Sequence, residues 1–195
     1  MRKATVKRNT KETNISCSLN LDGSGISKIS TRIGFFDHML DLFVHHSLVD
    51  MELKTEGDIN VDYHHSVEDT AYAIAQATTK ALDDKKGINR YGFFYIPMDE
   101  CLSRCVIDFS GRPEFVWNVN LGLEKIGEMD TELFVEFFKS FANEAKCNLH
   151  IENLYGKNNH HIIESCFKAF AKSYRIAVEA DARRENQIPS SKGKL

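Results

Sequence analysis

The feature that most constrains this chain is a five-residue pattern written twice, His64-His65-x-x-Glu68 and His160-His161-x-x-Glu164, with the copies 96 positions apart. Each copy opens a segment whose apolar positions recur every three to four residues, the spacing of a helix with one stripe to bury. Upstream, Glu12, Cys17 and Gly23 match Glu100, Cys105 and Gly111 at a constant offset of 88, and DHMLDLFVHHSLVDMELK echoes VEFFKSFANEAKCNLHIE. An internal repeat limits the possible folds, because each copy is a unit whose apolar face the other copy can cover.

Strands are expected in ISCSLNLDGSG, CVIDFSGRPEFVWNVNL, VDMELKT and CNLHIENL, from their alternation and their Gly-containing turns. Helices are expected in HMLDLFVHHS, EDTAYAIAQATTKALDD, DTELFVEFFKSFANEA and HIIESCFKAFAKSYRIAVEAD. Each half then reads strand, strand, helix, strand, helix, which is an internally duplicated α+β fold. Each half is expected to be a mixed sheet with two helices on one face, and the halves to meet helix layer to helix layer. The expected units are 1–88, 89–181 and a polar tail, 182–195, with the junction near Lys85 to Asn89. A chain of 195 residues that is 42% apolar has enough material for the shared core.

With a net charge of −3, the whole molecule offers no basic surface for nucleic acid or an anionic membrane, so any anion site must be local. No apolar run reaches the roughly 18 to 20 residues of a membrane span, and the basic N-terminus lacks the apolar core of a signal peptide. Five cysteines without a C-x-x-C pair point to reduced, buried thiols. The expectation is a soluble cytoplasmic protein.

The histidines carry the chemistry. On a helix His64 and Glu68 project from one face a turn apart and form a chelating pair, while His65 points about 100° away. The pattern therefore suits two ions, each taking a His/Glu pair from one repeat and the odd histidine from the other. Imidazole and carboxylate donors without thiolate suit Mn, Fe, Co or Zn. A lone His-His pair is more often a surface feature; its recurrence in the same slot favours metal. His45 and His150 are taken as structural, as are Met39 and the Phe-rich segment FVEFFKSFA.

Taken in order, TKETNISCSLNLDGSG, GFFDHML, GDINVDYHHSVED, GINRYG, PMDECL, DFSGRPEF, HHIIESCFKAFAKSYR and PSSKGKL resemble the signature segments of the imidazoleglycerol-phosphate dehydratase family across essentially the whole chain. The resemblance implies two halves like domain 2 of ribosomal protein S5, two Mn(II) ions per active site, and a homo-oligomer of twenty-four subunits built from trimers, with active sites where subunits meet. It implies that His38, His64, His65, Glu68, His160, His161 and Glu164 are metal ligands and that Glu12 is an acid/base residue. It also implies that His46, Arg90, Arg112, Lys168, Ser190, Ser191 and Lys192 contact the substrate, the arginines and the tail gripping phosphate. One position departs: many members carry a histidine ligand where this chain has Glu136, a residue that can also ligate Mn(II).

The reaction so implied is loss of water from imidazoleglycerol phosphate to give imidazole-acetol phosphate in histidine biosynthesis. The departing C–H has no neighbouring carbonyl to acidify it, so the imidazole must be the electron source. Two ions on its nitrogens would hold it as imidazolate, able to expel hydroxide through a diazafulvene-like intermediate, with Glu12 moving the proton. A two-metal phosphatase would bridge its ions with aspartates, which the duplicated motif lacks. A ferritin-like cage would place Glu-x-x-His on long helices rather than between strands.

Overall fold

A computed structural model describes residues 2–195. The first half runs β1 (Lys3–Asn9), β2 (Thr13–Asn20), β3 (Ser27–Ser30), α1 (Gly34–Ser47), β4 (Asp50–Gly57) and α2 (His64–Leu82). The second runs β5 (Tyr91–Met98), β6 (Cys101–Asp108), β7 (Glu114–Asn118), a hairpin β8 (Lys125–Ile126) and β9 (Met129–Asp130), then α3 (Glu132–Ala145), β10 (Asn148–Tyr155) and α4 (Asn159–Val178). Each half forms a four-stranded mixed sheet, ordered β1-β2-β4-β3 and β5-β6-β10-β7. In each, the third strand runs parallel to the fourth and is joined to it through a helix, while the other neighbours are antiparallel.

The duplication is therefore structural. β2 and β6 correspond at an offset of 88 (Thr13 to Cys101), α1 and α3 at 98 (Gly34 to Glu132), and β4 and β10 at 98 (Asp50 to Asn148). The offset grows by ten over the stretch that carries the β8–β9 hairpin. α1 and α3 even end alike, on left-handed residues Leu48 and Lys146.

Three strands of the main sheet, not two, precede the first helix of each half. β1 is KATVKRN, whose alternate basic residues keep a sheet edge soluble and blur the apolar signal. β5 is YGFFYIPM, an edge strand whose run of aromatic residues shows no alternation and whose Pro97 an edge tolerates.

The helices line one face of each sheet and meet between them: α1 packs on α4, and α2 on α3. Each contact thus joins opposite halves. Phe170 of α4 stacks on Phe43 of α1, meets Phe138 and Phe141 of α3 edge-on, and lies beside Tyr174, all essentially excluded from solvent. At the other end Phe36 of α1 meets Phe137 of α3. All five cysteines are buried and unpaired. No helix among the described residues is long and apolar enough to cross a membrane.

Phe170→Ala removes the ring shared by α1, α3 and α4. It should cost about 3 to 5 kcal/mol in chemical denaturation, with the two halves still unfolding in a single transition. A separate early transition for one half would show that the shared core does not couple them.

Candidate metal centre and active site

Both His-His pairs stand at a helix start fixed by an Asx side chain two residues before. Asp62 Oδ1 accepts from the His64 backbone N–H at 2.8 Å, and Asn158 Oδ1 accepts from His160 N–H at 2.9 Å and His161 N–H at 3.4 Å. Gly57 lets α2 approach β4 so closely that a Cβ there would collide with Ser66 of the first turn.

From these starts three clusters form, each with its donor atoms within 4.8 Å of one another: Glu100, Cys101 and His161, and two that contain no thiol. Of these two, one is His64 and Glu68 of α2 with Glu136 of α3; the other is His160 and Glu164 of α4 with His38 of α1. His38 and Glu136 are each the fifth residue of their fourteen-residue helices, so they are internally equivalent. Each half thus supplies the third donor to the other half's His/Glu pair. In the second cluster His160 Nε2 lies 3.1 Å and His38 Nε2 3.6 Å from Glu164 Oε2, while Lys168 Nζ sits 2.6 Å from Oε1. Burial works to raise the Glu164 carboxyl, but Lys168, then His160 and His38, outweigh it and hold it below the ordinary carboxylate range. Phe35 braces this cluster, its ring edge-on to His160 and Phe134. The donor sets of these two, imidazole with carboxylate and no thiolate, fit a divalent first-row cation.

His65 and His161 lie outside these two clusters, so the expected completion of each site by the odd histidine of the other repeat is not made within one chain. Lying about 100° further round their helices, they meet carboxylates instead. His65 Nδ1 is 3.0 Å from Asp58 and its Nε2 is 3.8 Å from Glu12; His161 Nδ1 is 2.8 Å from Glu100 and its Nε2 is 3.8 Å from Asp99. A carboxylate on Nδ1 fixes the ring and leaves Nε2 as the free donor, the arrangement that metal-binding histidines use. Asp58, Asp99 and Glu100 were not singled out from sequence, although Glu100 aligns with Glu12 and could have been. Glu12 is held near His65 because Thr13 donates to Asp69 of α2 (2.5 Å), which also pairs with Arg8.

The remaining residues fall in two places. His46, at the end of α1, lies within the fields of Lys168 and Lys172; burial first, then His45 and these lysines, lower its pKa. Arg90, Arg112 and the tail gather at the opposite end. Arg90 grips Asp108 through Nε (2.6 Å) and Nη2 (3.0 Å) and donates through Nη1 to the Pro189 carbonyl (2.9 Å), so this side chain anchors the segment bearing Ser190, Ser191 and Lys192. Arg112 is exposed, and Leu195 closes against its neighbour Gly111. A cavity of about 600 Å³ beside the tail is lined by Arg183, Arg184, Ser190 and Ser191.

Fold and clusters together define a duplicated α+β protein with paired histidine–carboxylate clusters that could each hold a cation, and comparison with known proteins gives its class as a hydro-lyase. A family model described as imidazoleglycerol-phosphate dehydratase matches residues 31–174. The dehydratases of Sinorhizobium fredii and Nitrobacter hamburgensis are each 54% identical over the whole chain and 96% and 99% of their own lengths. The crystal structure of the Staphylococcus aureus dehydratase superposes with a TM-score of 0.83 at 40% identity, covering 91% of this chain and 99% of that one. The Pyrococcus furiosus enzyme, in complex with (S)-C348, gives 0.81 at 28% identity, covering 97% and 100%. The chain belongs to the imidazoleglycerol-phosphate dehydratase family, enzymes of histidine biosynthesis.

Without metal, Glu100 raises the His161 pKa from its ordinary 6.5, and His161 in turn lowers the Glu100 carboxyl below its ordinary 4.5. The histidine's contribution to stability is therefore complete below 6.5 and lost as pH rises through its raised pKa, while the glutamate's is present above 4.5 and lost as pH falls through its lowered one. NMR titration of the metal-free protein should place His161 above 6.5, and Glu100→Gln should bring it down. An unchanged midpoint in that variant would remove Glu100 as the partner.

Proposed function

We propose that the chain dehydrates imidazoleglycerol phosphate with two Mn(II) ions per active site, in a cytoplasmic homo-oligomer of twenty-four subunits built from trimers whose sites lie between copies. The observation that carries this is the pair of cross-wired triads, His64/Glu68/Glu136 and His38/His160/Glu164, beside two half-buried histidines each held at Nδ1 by a carboxylate. Each triad is one imidazole short of the set the sequence offers. His65 and His161 of neighbouring copies complete them.

Chain geometry supports sites between copies. The phosphate-binding residues gather near Ala177, whose carbonyl accepts from Arg90 N–H, whereas His160 begins the same helix. Seventeen residues of α-helix separate the two, about 25 Å. An imidazole carrying a three-carbon phosphate is far too short to reach both within one copy. The outer face of the second sheet leaves Phe93, Val106 and Val116 exposed, a surface suited to association.

The two triads would hold the Mn(II) ions, which would supply Lewis-acid activation of the substrate's imidazole. The chain supplies the rest. Arg112 offers a planar fork to phosphate oxygens, Ser190, Ser191 and Lys192 add hydroxyl and ammonium donors, and Arg90 sets the tail in place. Lys168 and His46 present donors toward the substrate beside Glu164. Glu12, 3.8 Å from His65 Nε2, takes the proton from the carbon next to the one that loses its hydroxyl, which departs as water. The enol so formed regains a proton at the carbon beside the ring to give the ketone. Residues 1–88 and 89–181 act as the two repeats, and 182–195 as the phosphate-binding tail.

Given imidazoleglycerol phosphate and Mn(II), the protein should produce the ultraviolet signal of enolised imidazole-acetol phosphate; release of inorganic phosphate instead would contradict the reading. Arg112→Lys keeps the charge but not the fork, so KM should rise about tenfold, the worth of one charged hydrogen bond, at unchanged metal content. Removing metal should shift the protein to smaller particles with unaltered circular dichroism, since ligands shared between copies tie ion binding to assembly. A large particle that persists after verified metal removal would count against shared sites.

A further inference from the structure

The two triads occupy equivalent places in a duplicated fold, yet they are not chemically equal. The α1/α4 cluster has two imidazoles and one carboxylate, and the α2/α3 cluster one imidazole and two carboxylates, because Glu136 stands where the other half has His38. A second difference lies one turn further along. Glu164 is neutralised by Lys168, four residues on, at 2.6 Å. The position equivalent to Lys168, at the offset of 96, is Tyr72, whose hydroxyl donates to Glu68 at 3.3 Å. That phenol, unlike an ammonium, carries no charge. Lys139 approaches Glu136 only to 3.4 Å and is half exposed, so it offsets little of the charge.

Formal charge therefore differs by two between the sites. Glu164 with Lys168 sums to zero, and Glu68 with Glu136 to −2. One imidazole from a neighbouring copy on each site leaves this difference intact. A carboxylate is also a harder donor than imidazole and better matched to Mn(II).

Resting on the reading of both triads as cation sites, we propose that the duplicated sites have diverged into a tight, oxygen-rich site at His64/Glu68/Glu136 and a weaker, exchangeable one at His38/His160/Glu164, with Glu136 and Tyr72 setting the difference. The weaker ion leaves first and returns last.

The Mn(II)-loaded assembly, dialysed against a graded series of chelator strengths with bound metal counted by atomic emission and by electron paramagnetic resonance, tests this. The expected curve falls in two steps with a plateau at one ion per chain. Glu136→Gln, which removes a charged ligand, should shift the second step to at least ~10-fold weaker chelation and leave the first in place. Tyr72→Lys should shift the same step by installing the ammonium that the other half carries, and it keeps the test open if Glu136→Gln fails to assemble. Lys168→Met should instead delay the first step. A single step in the unaltered protein, or variants that move the opposite step, would overturn the divergence while leaving two metal sites. Fewer than two ions per chain in the loaded protein would overturn the reading beneath it as well.

Discussion

The packing of α1 on α4 and of α2 on α3 buries the apolar stripe of every helix and, through the same contacts, sets a residue of one half beside the His/Glu pair of the other. Neither half could do this alone. A sheet with two helices on one face leaves those helices half covered, and in this chain the cover is the other copy of the same unit. The Phe43, Phe138, Phe141 and Phe170 cluster fixes the helix crossings, so the positions of His38 and Glu136 follow from core packing. Damage to the core and damage to the clusters should be hard to separate.

The same constraint explains why the chain looks unfinished as a catalyst. The cation clusters sit at helix starts, and the arginines and tail sit where α4 ends, so helix length alone keeps them apart. His65 and His161, each steadied by a carboxylate at Nδ1, are then the donors that the proposed sites between copies would use. Duplication gives two such donors and two triads. Later substitution at one equivalent position in each pair, Glu136 for His38 and Tyr72 for Lys168, would let the two sites take different duties without disturbing the fold.

Much of the fold was legible because the repeat reports on itself. The four helices, the strands β2, β4, β6 and β10, and the meeting of helix layers all follow from periodicity read twice. β1 and β5 were missed because edge strands carry charge or unbroken aromatic runs instead of alternation. Of the candidate site, the His64/Glu68 and His160/Glu164 pairings were visible as four-residue spacings on a helix. The third member of each cluster, His38 or Glu136, was named only through the family resemblance, because it depends on a contact between halves that no local pattern encodes. Arg90 adds a related point: the resemblance implies that it contacts substrate, and the folded chain shows Asp108 and the Pro189 carbonyl already in its grip. Asp58, and the role of Glu100 that the repeat had aligned with Glu12, escaped notice because nothing local marks an acidic residue as the partner of a distant imidazole.

The claim that matters most is that His65 of one copy completes the His38/His160/Glu164 triad of another, and subunit mixing tests it directly. His65→Ala and His38→Ala are each expected to be inactive as pure assemblies, the first lacking the donated imidazole and the second lacking a resident one. Dissociated, mixed and reassembled with Mn(II), they should regain part of the dehydratase activity, because a His38→Ala copy still donates His65 to the intact triad of a His65→Ala copy. Mass spectrometry of the particles establishes that mixing has occurred. Mixed particles that stay as inactive as their parents would contradict the account, because both histidines would then have to serve a site within the same copy.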